Sequence, residues 1–204
     1  MFKIGSHDSM TYLPIKNWIL YPIKFMAQCQ SKTIEEQYEK YGIRYFDLRV
    51  SYDSNGNIEF KHGAIAYKGD VEKVLEYLNS KNEEVWVRFI LEGSNLEFNL
   101  KCLFNKNKVE QEKYRQILNF QIDCYNFEHK YTNLKFHCGV AKWDWDVKYK
   151  FQNAEPSIDQ KISSMTWKKI DDWCPFLYAL FMNKKNVKEG TDKDYLLLDF
   201  LHIF

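Results

Sequence analysis

Charge of one sign is missing from this sequence. Its 204 residues hold 29 Lys and Arg against 28 Asp and Glu, a net charge of +1. The two signs alternate along the chain, so the electrostatic footprint of a nucleic-acid binder is lacking and no DNA or RNA partner is expected. Long apolar runs are missing too. The longest, Trp173 to Met182, has ten residues and includes a proline, about half of the roughly twenty that a bilayer span requires. No basic stretch followed by an apolar one opens the chain, because Phe2-Lys3-Ile4 leads straight into the polar Gly5-Ser6-His7-Asp8-Ser9, and the expectation is of no secretory signal. A cytoplasmic or peripherally membrane-bound protein is therefore expected. The five cysteines, Cys29, Cys102, Cys124, Cys138 and Cys174, include no C-x-x-C pair or metal-ligand spacing and read as reduced core thiols. Repeats, linkers and low-complexity tracts are absent. With 45% hydrophobic and 17% aromatic residues, disorder is excluded for any long stretch and a single domain over 1–204, monomeric, is expected.

Strand and helix patterns alternate along the chain. Thr33 with Glu36 three residues later forms a capping-box pattern, and Gly42 supplies a left-handed stop. Ile43 to Val50 is rich in β-branched and aromatic residues. The Asn55-Gly56 turn separates it from a short strand over Ile58 to Lys61. Asp70 caps a helix whose Val71, Val74, Leu75 and Leu78 share one face, and Val85 to Leu91 is again a strand. A long helix is expected over Val109 to Tyr131, with Tyr114, Ile117, Leu118, Gln121 and Ile122 as its stripe, followed by extended structure from Leu134 to Cys138. Trp143 to Phe151 alternates as a half-buried strand. A last helix around Asp171 to Met182 leads through a polar connection, Asn183 to Asp194, into an apolar strand from Tyr195 to Phe200 that is interrupted by Asp199. Such units imply an α/β fold with a parallel sheet covered by helices. Its commonest enzyme form is a TIM-barrel-like (β/α) barrel, here small and irregular or incompletely closed.

Alternation along Ile43 to Val50 puts Phe46, Leu48 and Val50 on one face and Tyr45, Asp47 and Arg49 on the other. A carboxylate and a guanidinium thus project together near a strand's C-terminal end, where parallel folds place their sites. A purely structural ion pair is the competing reading. Asp199, between Leu196-Leu197-Leu198 and Phe200-Leu201, is a carboxylate that burial would destabilise unless it has a partner. His7 and His62, each following a strand pattern, are the natural candidates.

At this point the residues resemble a family. Gly5-Ser6-His7-Asp8-Ser9 after the first strand, Gly42-Ile43-Arg44-Tyr45-Phe46-Asp47-Leu48-Arg49 on the second, and Lys61-His62-Gly63 beyond it resemble the X-domain of phosphatidylinositol-specific phospholipases C of the bacterial, calcium-independent type. Leu197-Leu198-Asp199-Phe200 resembles the aspartate of the closing strand in those enzymes. The four matches come in the family's order and bracket almost the whole chain. Any one of them alone would be weak.

The resemblance implies a catalytic set of His7, Asp8, Asp47, Arg49, His62 and Asp199. His7 would be the general base for the inositol 2-hydroxyl, with Asp199 fixing its tautomer. His62 would be the general acid for the diacylglycerol oxygen, with Asp8 keeping it charged. Arg49 would clamp the phosphate, oriented by Asp47. The implied activity is cleavage of phosphatidylinositol or a related phospholipid at a membrane surface, giving cyclic inositol 1,2-phosphate and diacylglycerol. A phosphodiester-binding module without turnover, or a phosphodiesterase for another headgroup, is the alternative.

No metal and no cofactor are expected, since the calcium-dependent relatives carry a carboxylate where Arg49 stands. Asp47 and Glu92 are the residues through which residual calcium binding would act. For the substrate pocket the candidates are Arg88, which compensates for a basic residue the family carries near Ile90, with Asp159, Lys142 and Trp143. The family's stacking tyrosine two positions after the aspartate is missing, Lys161 standing there. Tyr12 to Met26 corresponds to a rim helix, with Trp18, Ile19 and Leu20 as membrane-interface candidates; a helix packed on the barrel wall is the other reading.

Overall fold

The computed structural model describes residues 2–92, 106–140, 158–159, 169–171 and 173–203. Its strands are β1 (Lys3–Ser6), β2 (Tyr45–Tyr52), β3 (Ile58–His62), β4 (Ile65–Ala66), β5 (Val85–Leu91), β6 (Leu134–Val140), β7 (Ile158–Asp159) and β8 (Tyr195–Leu198). The helices are α1 (Ile34–Glu39), α2 (Val71–Asn79), α3 (Lys106–Lys130) and α4 (Pro175–Glu189), with 3-10 turns at Trp18–Met26 and Leu201–Ile203. All the strands belong to one sheet. Six of them run parallel in the order β7-β8-β1-β2-β5-β6. The antiparallel β3–β4 hairpin extends the end of β2 on the edge that also meets β1. Among the described residues no pairing joins β6 to β7, so this TIM-barrel-like α/β sheet is not closed.

Local chemistry sets the helix starts. Thr33 accepts from the Glu36 backbone N–H while the Glu36 side chain accepts from the Thr33 N–H, which satisfies two of the orphan donors of α1. Asp70 caps α2 by accepting from Lys73 N–H. Gly42 has φ +66, the left-handed conformation its sequence position predicts.

The two faces of each strand have different fates. Phe46, Leu48 and Val50, with Val87, Phe89 and Leu91 of β5, join the main core beneath Leu75 and Leu78 of α2 and Ile117, Phe120 and Phe127 of α3. On the other face Tyr45, Tyr195 and Leu197 form a second, smaller cluster with Trp86. The rings of Tyr45 and Tyr195 lie 4.7 Å apart. This cluster fills the sheet's inner face one layer below Asp47 and Arg49, so apolar packing ends where the charged residues begin.

Three expectations need correction. The buried stripe of α3 is Ile117, Phe120, Cys124 and Phe127, whereas Tyr114, Leu118 and Ile122 are about half exposed; the apolar residues of this helix cover two faces, and periodicity alone does not say which one meets the sheet. The last helix is Pro175–Glu189 and does not end at Met182. Asn183 and Asn186, read as part of a polar connection, are buried and hydrogen-bonded, so their polarity does not mark a loop. The region Tyr12 to Met26 contains a 3-10 turn of nine residues and not an α-helix, with Pro22 inside it contributing no N–H donor. The strand expected over Trp143 to Phe151 lies outside the described residues.

Gly5 marks the tightest point of the inner face. A Cβ there would stand 2.6 Å from Leu197 Cδ2 and 3.3 Å from both Cβ and the carbonyl oxygen of Tyr45. Gly5→Val should therefore lose about 1–3 kcal/mol of stability through overpacking, read as a lower urea midpoint. An unchanged midpoint would contradict the packing described.

Candidate active site

Five strands, β1, β2, β3, β5 and β8, bring one group of charged side chains together. His7 follows β1 and Asp199 follows β8, and the register Ser6↔Leu198 makes them neighbours. Both chains then turn through left-handed backbone at non-glycine residues, Asp8 with φ 42 and Phe200 with φ 44. Such conformations persist where the surroundings over-determine them, and they cluster at functional sites.

His7 Nδ1 lies 2.7 Å from Asp199 Oδ1. Its Nε2 faces three groups: Arg49 Nη2 at 2.9 Å, Asp8 Oδ2 at 3.5 Å and Asp47 Oδ2 at 3.7 Å. Burial pulls the imidazole pKa down, but the Asp8 and Asp199 carboxylates outweigh it and raise the value from 6.5 to about 9. The Arg49 contact works against the proton, because a guanidinium N–H can donate only to an unprotonated Nε2. The neutral ring with its proton on Nδ1 fits both of its close contacts. Proton uptake at Nε2 must therefore displace Arg49.

Arg49 is held from three sides. Its Nε lies 2.6 Å from Asp8 Oδ1 and 3.2 Å from Asp47 Oδ2, and its Nη1 donates to Glu92 Oε1 at 2.7 Å. The Asp8 contact is an ion pair without hydrogen-bond geometry, since the Nε–H is directed at Asp47. Asp47 also accepts from Arg88 Nη1 at 3.3 Å. Burial favours its neutral form, yet the guanidinium groups of Arg88 and Arg49 keep its carboxyl far below the usual carboxylate range. Glu92 is fully buried, and its second oxygen has no hydrogen-bond partner.

His62 ends β3 on the other side of Asp8. Its Nε2 is 3.2 Å from Asp8 Oδ2 and its Nδ1 is 2.8 Å from the Ala27 carbonyl. The Nδ1–H donates to the Ala27 carbonyl, whereas the Asp8 contact is a close approach without hydrogen-bond geometry. Cys29 Sγ completes this side, 3.5 Å from Asp8 Oδ2. His7, Asp8 and Cys29 offer donor atoms within 4.8 Å of one another, a set with the spacing of a small cation site. Arg49 already supplies positive charge to two of the three.

The six residues of the expected catalytic set thus lie together. Of the pocket candidates, Arg88 is placed here but bound to Asp47. Asp159 lies on β7, where its backbone pairs with Leu196. Lys142 and Trp143 lie outside the described residues. Trp18 and Ile19 are exposed at 80% and 65%, while Leu20 packs partly buried against the core. Cys29 is the buried free thiol that the sequence led one to expect, but sequence reasoning missed Gln30 and Asn183, both buried around this group. Glutamine and asparagine carry no pattern that marks them as interior, so no sequence signal could have found them.

Because the folded value of His7 lies above 6.5, its proton-linked stabilisation is fully present below that pH and is lost as pH rises through about 9. Asp199→Asn removes one of the carboxylates that hold the proton. An NMR titration of the His7 ring should show the midpoint fall toward 6.5 in that variant, and an unmoved midpoint would sink this account of the pair.

No family description matches the sequence, and no curated protein matches it. Solved structures do. A mutant phosphatidylinositol-specific phospholipase C from Staphylococcus aureus superposes with a TM-score of 0.56 at 15% identity, over 98% of this chain and 86% of that one. The phosphatidylinositol-specific phospholipase C from Listeria monocytogenes gives 0.53 at 18% identity, over 98% and 88%. A further Staphylococcus aureus structure, described as modulation of that enzyme's membrane binding, gives 0.53 at 17%, over 98% and 86%. The chain has the fold of the bacterial phosphatidylinositol-specific phospholipases C.

Proposed function

We propose that this chain cleaves phosphatidylinositol-type lipids by transfer of the phosphoryl group to the inositol 2-hydroxyl, with a guanidinium in place of a metal ion. The observation that carries the reading is the reach of both Nε2 atoms to one oxygen: His7 and His62 lie 3.5 Å and 3.2 Å from Asp8 Oδ2. Two imidazoles then converge on one buried carboxylate beside Arg49, His7 held through Nδ1 by Asp199 and His62 through Nδ1 by the Ala27 carbonyl, with both Nε2 atoms facing inward. A base and an acid acting on one phosphate require such a pair.

The 2-hydroxyl oxygen attacks phosphorus and gives its proton to His7 Nε2. The bond from phosphorus to the diacylglycerol oxygen breaks, and that oxygen takes a proton from His62 Nε2. The products are cyclic inositol 1,2-phosphate and diacylglycerol, and proton exchange with solvent resets the two rings. Asp199 stabilises the His7 imidazolium as it forms. His7 Nε2 can take the 2-hydroxyl proton only once Arg49 Nη2 has turned from it, and Arg49 then offers an N–H on each terminal nitrogen to the non-bridging oxygens while the other N–H of Nη1 stays on Glu92. This pair is directed at charge that grows in the transition state. Lowering of the Asp47 pKa by Arg88 and Arg49 keeps their positioning carboxylate ionised at any pH where the histidines work.

Access to a lipid surface is supported by exposed apolar groups on two touching elements. Trp18, Ile19, Tyr21 and Phe25 stand out from the 3-10 turn that follows the His7-Asp8 segment. Trp173, Leu180 and Phe181 stand out at and just before α4, which packs against that turn. Among the described residues no helix is long and apolar enough to cross a membrane. A bilayer interface suits such aromatic groups, and it is where the substrate resides.

Phosphorus NMR with phosphatidylinositol vesicles tests the chemistry. Cyclic inositol phosphate should appear, and His7→Ala and His62→Ala should each lose about 10²- to 10⁴-fold in kcat. Full activity in either variant would remove that histidine from the mechanism, and a wild-type protein that binds the vesicles without turnover would be a binding module. The limb of the pH profile that His7 governs should rise toward about 9 as its base form grows. Vesicle sedimentation tests the surface: Trp18→Ala with Phe181→Ala should bind at least about tenfold more weakly, and unchanged binding would assign those side chains to another use.

A further inference from the structure

The backbone ladder that pairs β1 with β8 ends at His7 N–H donating to Leu198 O at 3.1 Å. Beyond that bond both chains enter their left-handed turns at Asp8 and Phe200. The residues that must stay in register, His7 and Asp199, sit at this junction. A buried side-chain amide spans it. Gln30, fully buried, donates from Nε2 to the carbonyls of His7 at 3.1 Å and of Leu198 at 2.8 Å, one from each strand end. Its Oε1 accepts from Leu201 N–H at 3.3 Å. Both N–H groups and one lone pair of the amide's oxygen are thereby directed at the backbone around the pair.

The neighbours of Gln30 grip the same junction. The Cys29 carbonyl accepts from Phe200 N–H at 2.6 Å, and both Cys29 N–H and Gln30 N–H donate to Thr11 Oγ1 at 2.9 Å. From the opposite side, Asn183 of α4 donates to the Asp199 carbonyl at 2.6 Å. The segment from Leu198 to Phe200 is thus held on both sides by groups outside the sheet. This clamp is aligned on the two residues whose mutual distance decides how firmly the imidazole is held.

We infer that Gln30 is a positioning residue for the His7–Asp199 pair, its amide replacing the missing ladder bonds so that imidazole and carboxylate stay in hydrogen-bond contact through the proton transfer. This rests on the reading of His7 as the base, and it deepens that reading by assigning control of the base to a residue outside the reacting groups. The physical requirement is strict: a charge-assisted bond of 2.7 Å weakens steeply once its ends separate by a few tenths of an ångström or lose alignment. Gln30 touches neither ring nor carboxylate and acts through the two backbones alone.

The test uses Gln30→Met, which keeps the side chain's length and removes its polar tip, with Asn186→Ala as a control that removes a buried amide bonded to Tyr178 on α4. Ring NMR of His7 is the readout that a merely structural role would not move. The expected result is a His7 midpoint displaced downward by about one pH unit or more, a Nδ1 proton that exchanges faster, and kcat reduced about tenfold or more with little change in KM. In Asn186→Ala the midpoint should stay at the wild-type value even though stability falls. A His7 midpoint and tautomer unchanged in a folded Gln30→Met protein would overturn the inference, as would equal shifts in both variants.

Should Gln30→Met fail to fold, hydrogen exchange in the wild-type protein decides. The Gln30 side-chain amide protons should be protected like core backbone amides, and free rotation with fast exchange would overturn the clamp. None of the NMR readouts needs turnover. A protein that cleaves no phosphatidylinositol yet shows the His7 displacement keeps this inference and loses the proposed function; an active enzyme whose His7 ignores Gln30 does the reverse.

Discussion

The guanidinium of Arg49 sits among carboxylates that would repel one another without it. Asp8, Asp47 and Glu92 approach it from three directions, and Asp199 adds a fourth buried negative charge through His7. Burying so many carboxylates is strongly unfavourable unless each finds a cation or a donor, and removing one member of such a group typically costs about 3–5 kcal/mol because the rest are left uncompensated. The network therefore ties the ends of β1, β2, β5 and β8 to a single centre. Its excess of negative charge is also what makes the His7 imidazole a strong proton acceptor. Stability and the proposed reactivity share one electrostatic origin.

The sheet supplies the frame for that centre in layers. Tyr45, Tyr195 and Leu197 fill the inner face below, and Gly5 keeps its Cα bare where they approach. Above them the side chains change from apolar to charged within two residues along β2, from Tyr45 to Asp47. The rim turn has a double role. It presents Trp18 and Ile19 outward, and it ends at Ala27, whose carbonyl accepts from His62 Nδ1 and from the Tyr67 hydroxyl. The segment that carries the exposed Trp18 and Ile19 is hence in direct hydrogen-bond contact with the side chain proposed as the acid, while Cys29 and Gln30, a few residues later, hold the other half of the site.

Much of this could be read from one dimension. The strand with Tyr45, Asp47 and Arg49 on one face follows from period-two alternation, and the caps at Thr33 and Asp70 follow from side chains that compete for the first backbone N–H groups of a helix. Asp199 within an apolar run demanded a partner. Other features were out of reach. Both faces of α3 are apolar enough to qualify as the core stripe, and only the position of β5 and β6 selects Ile117, Phe120 and Phe127. Asn183 and Asn186 looked like the polar residues of a connection because polarity marks a loop only when water, and not a buried carbonyl, is the hydrogen-bond partner.

The sequence by itself determined the local periodicities, the helix starts and which residue types could move protons, because those depend on the neighbours of each residue within a few positions. It also showed a charged group within an apolar run, Asp199, although the strand expected through Phe200 ends at Leu198 and leaves Asp199 just beyond it. Tertiary structure decided the rest: which carboxylate meets which histidine, that Arg49 is caged by three acids at once, that Gln30 spans the ends of β1 and β8, and that the rim turn reaches His62. Apart from Arg49 with Asp47, those are contacts between residues tens to nearly two hundred positions apart. Their existence depends on strand order and register, which no local pattern encodes.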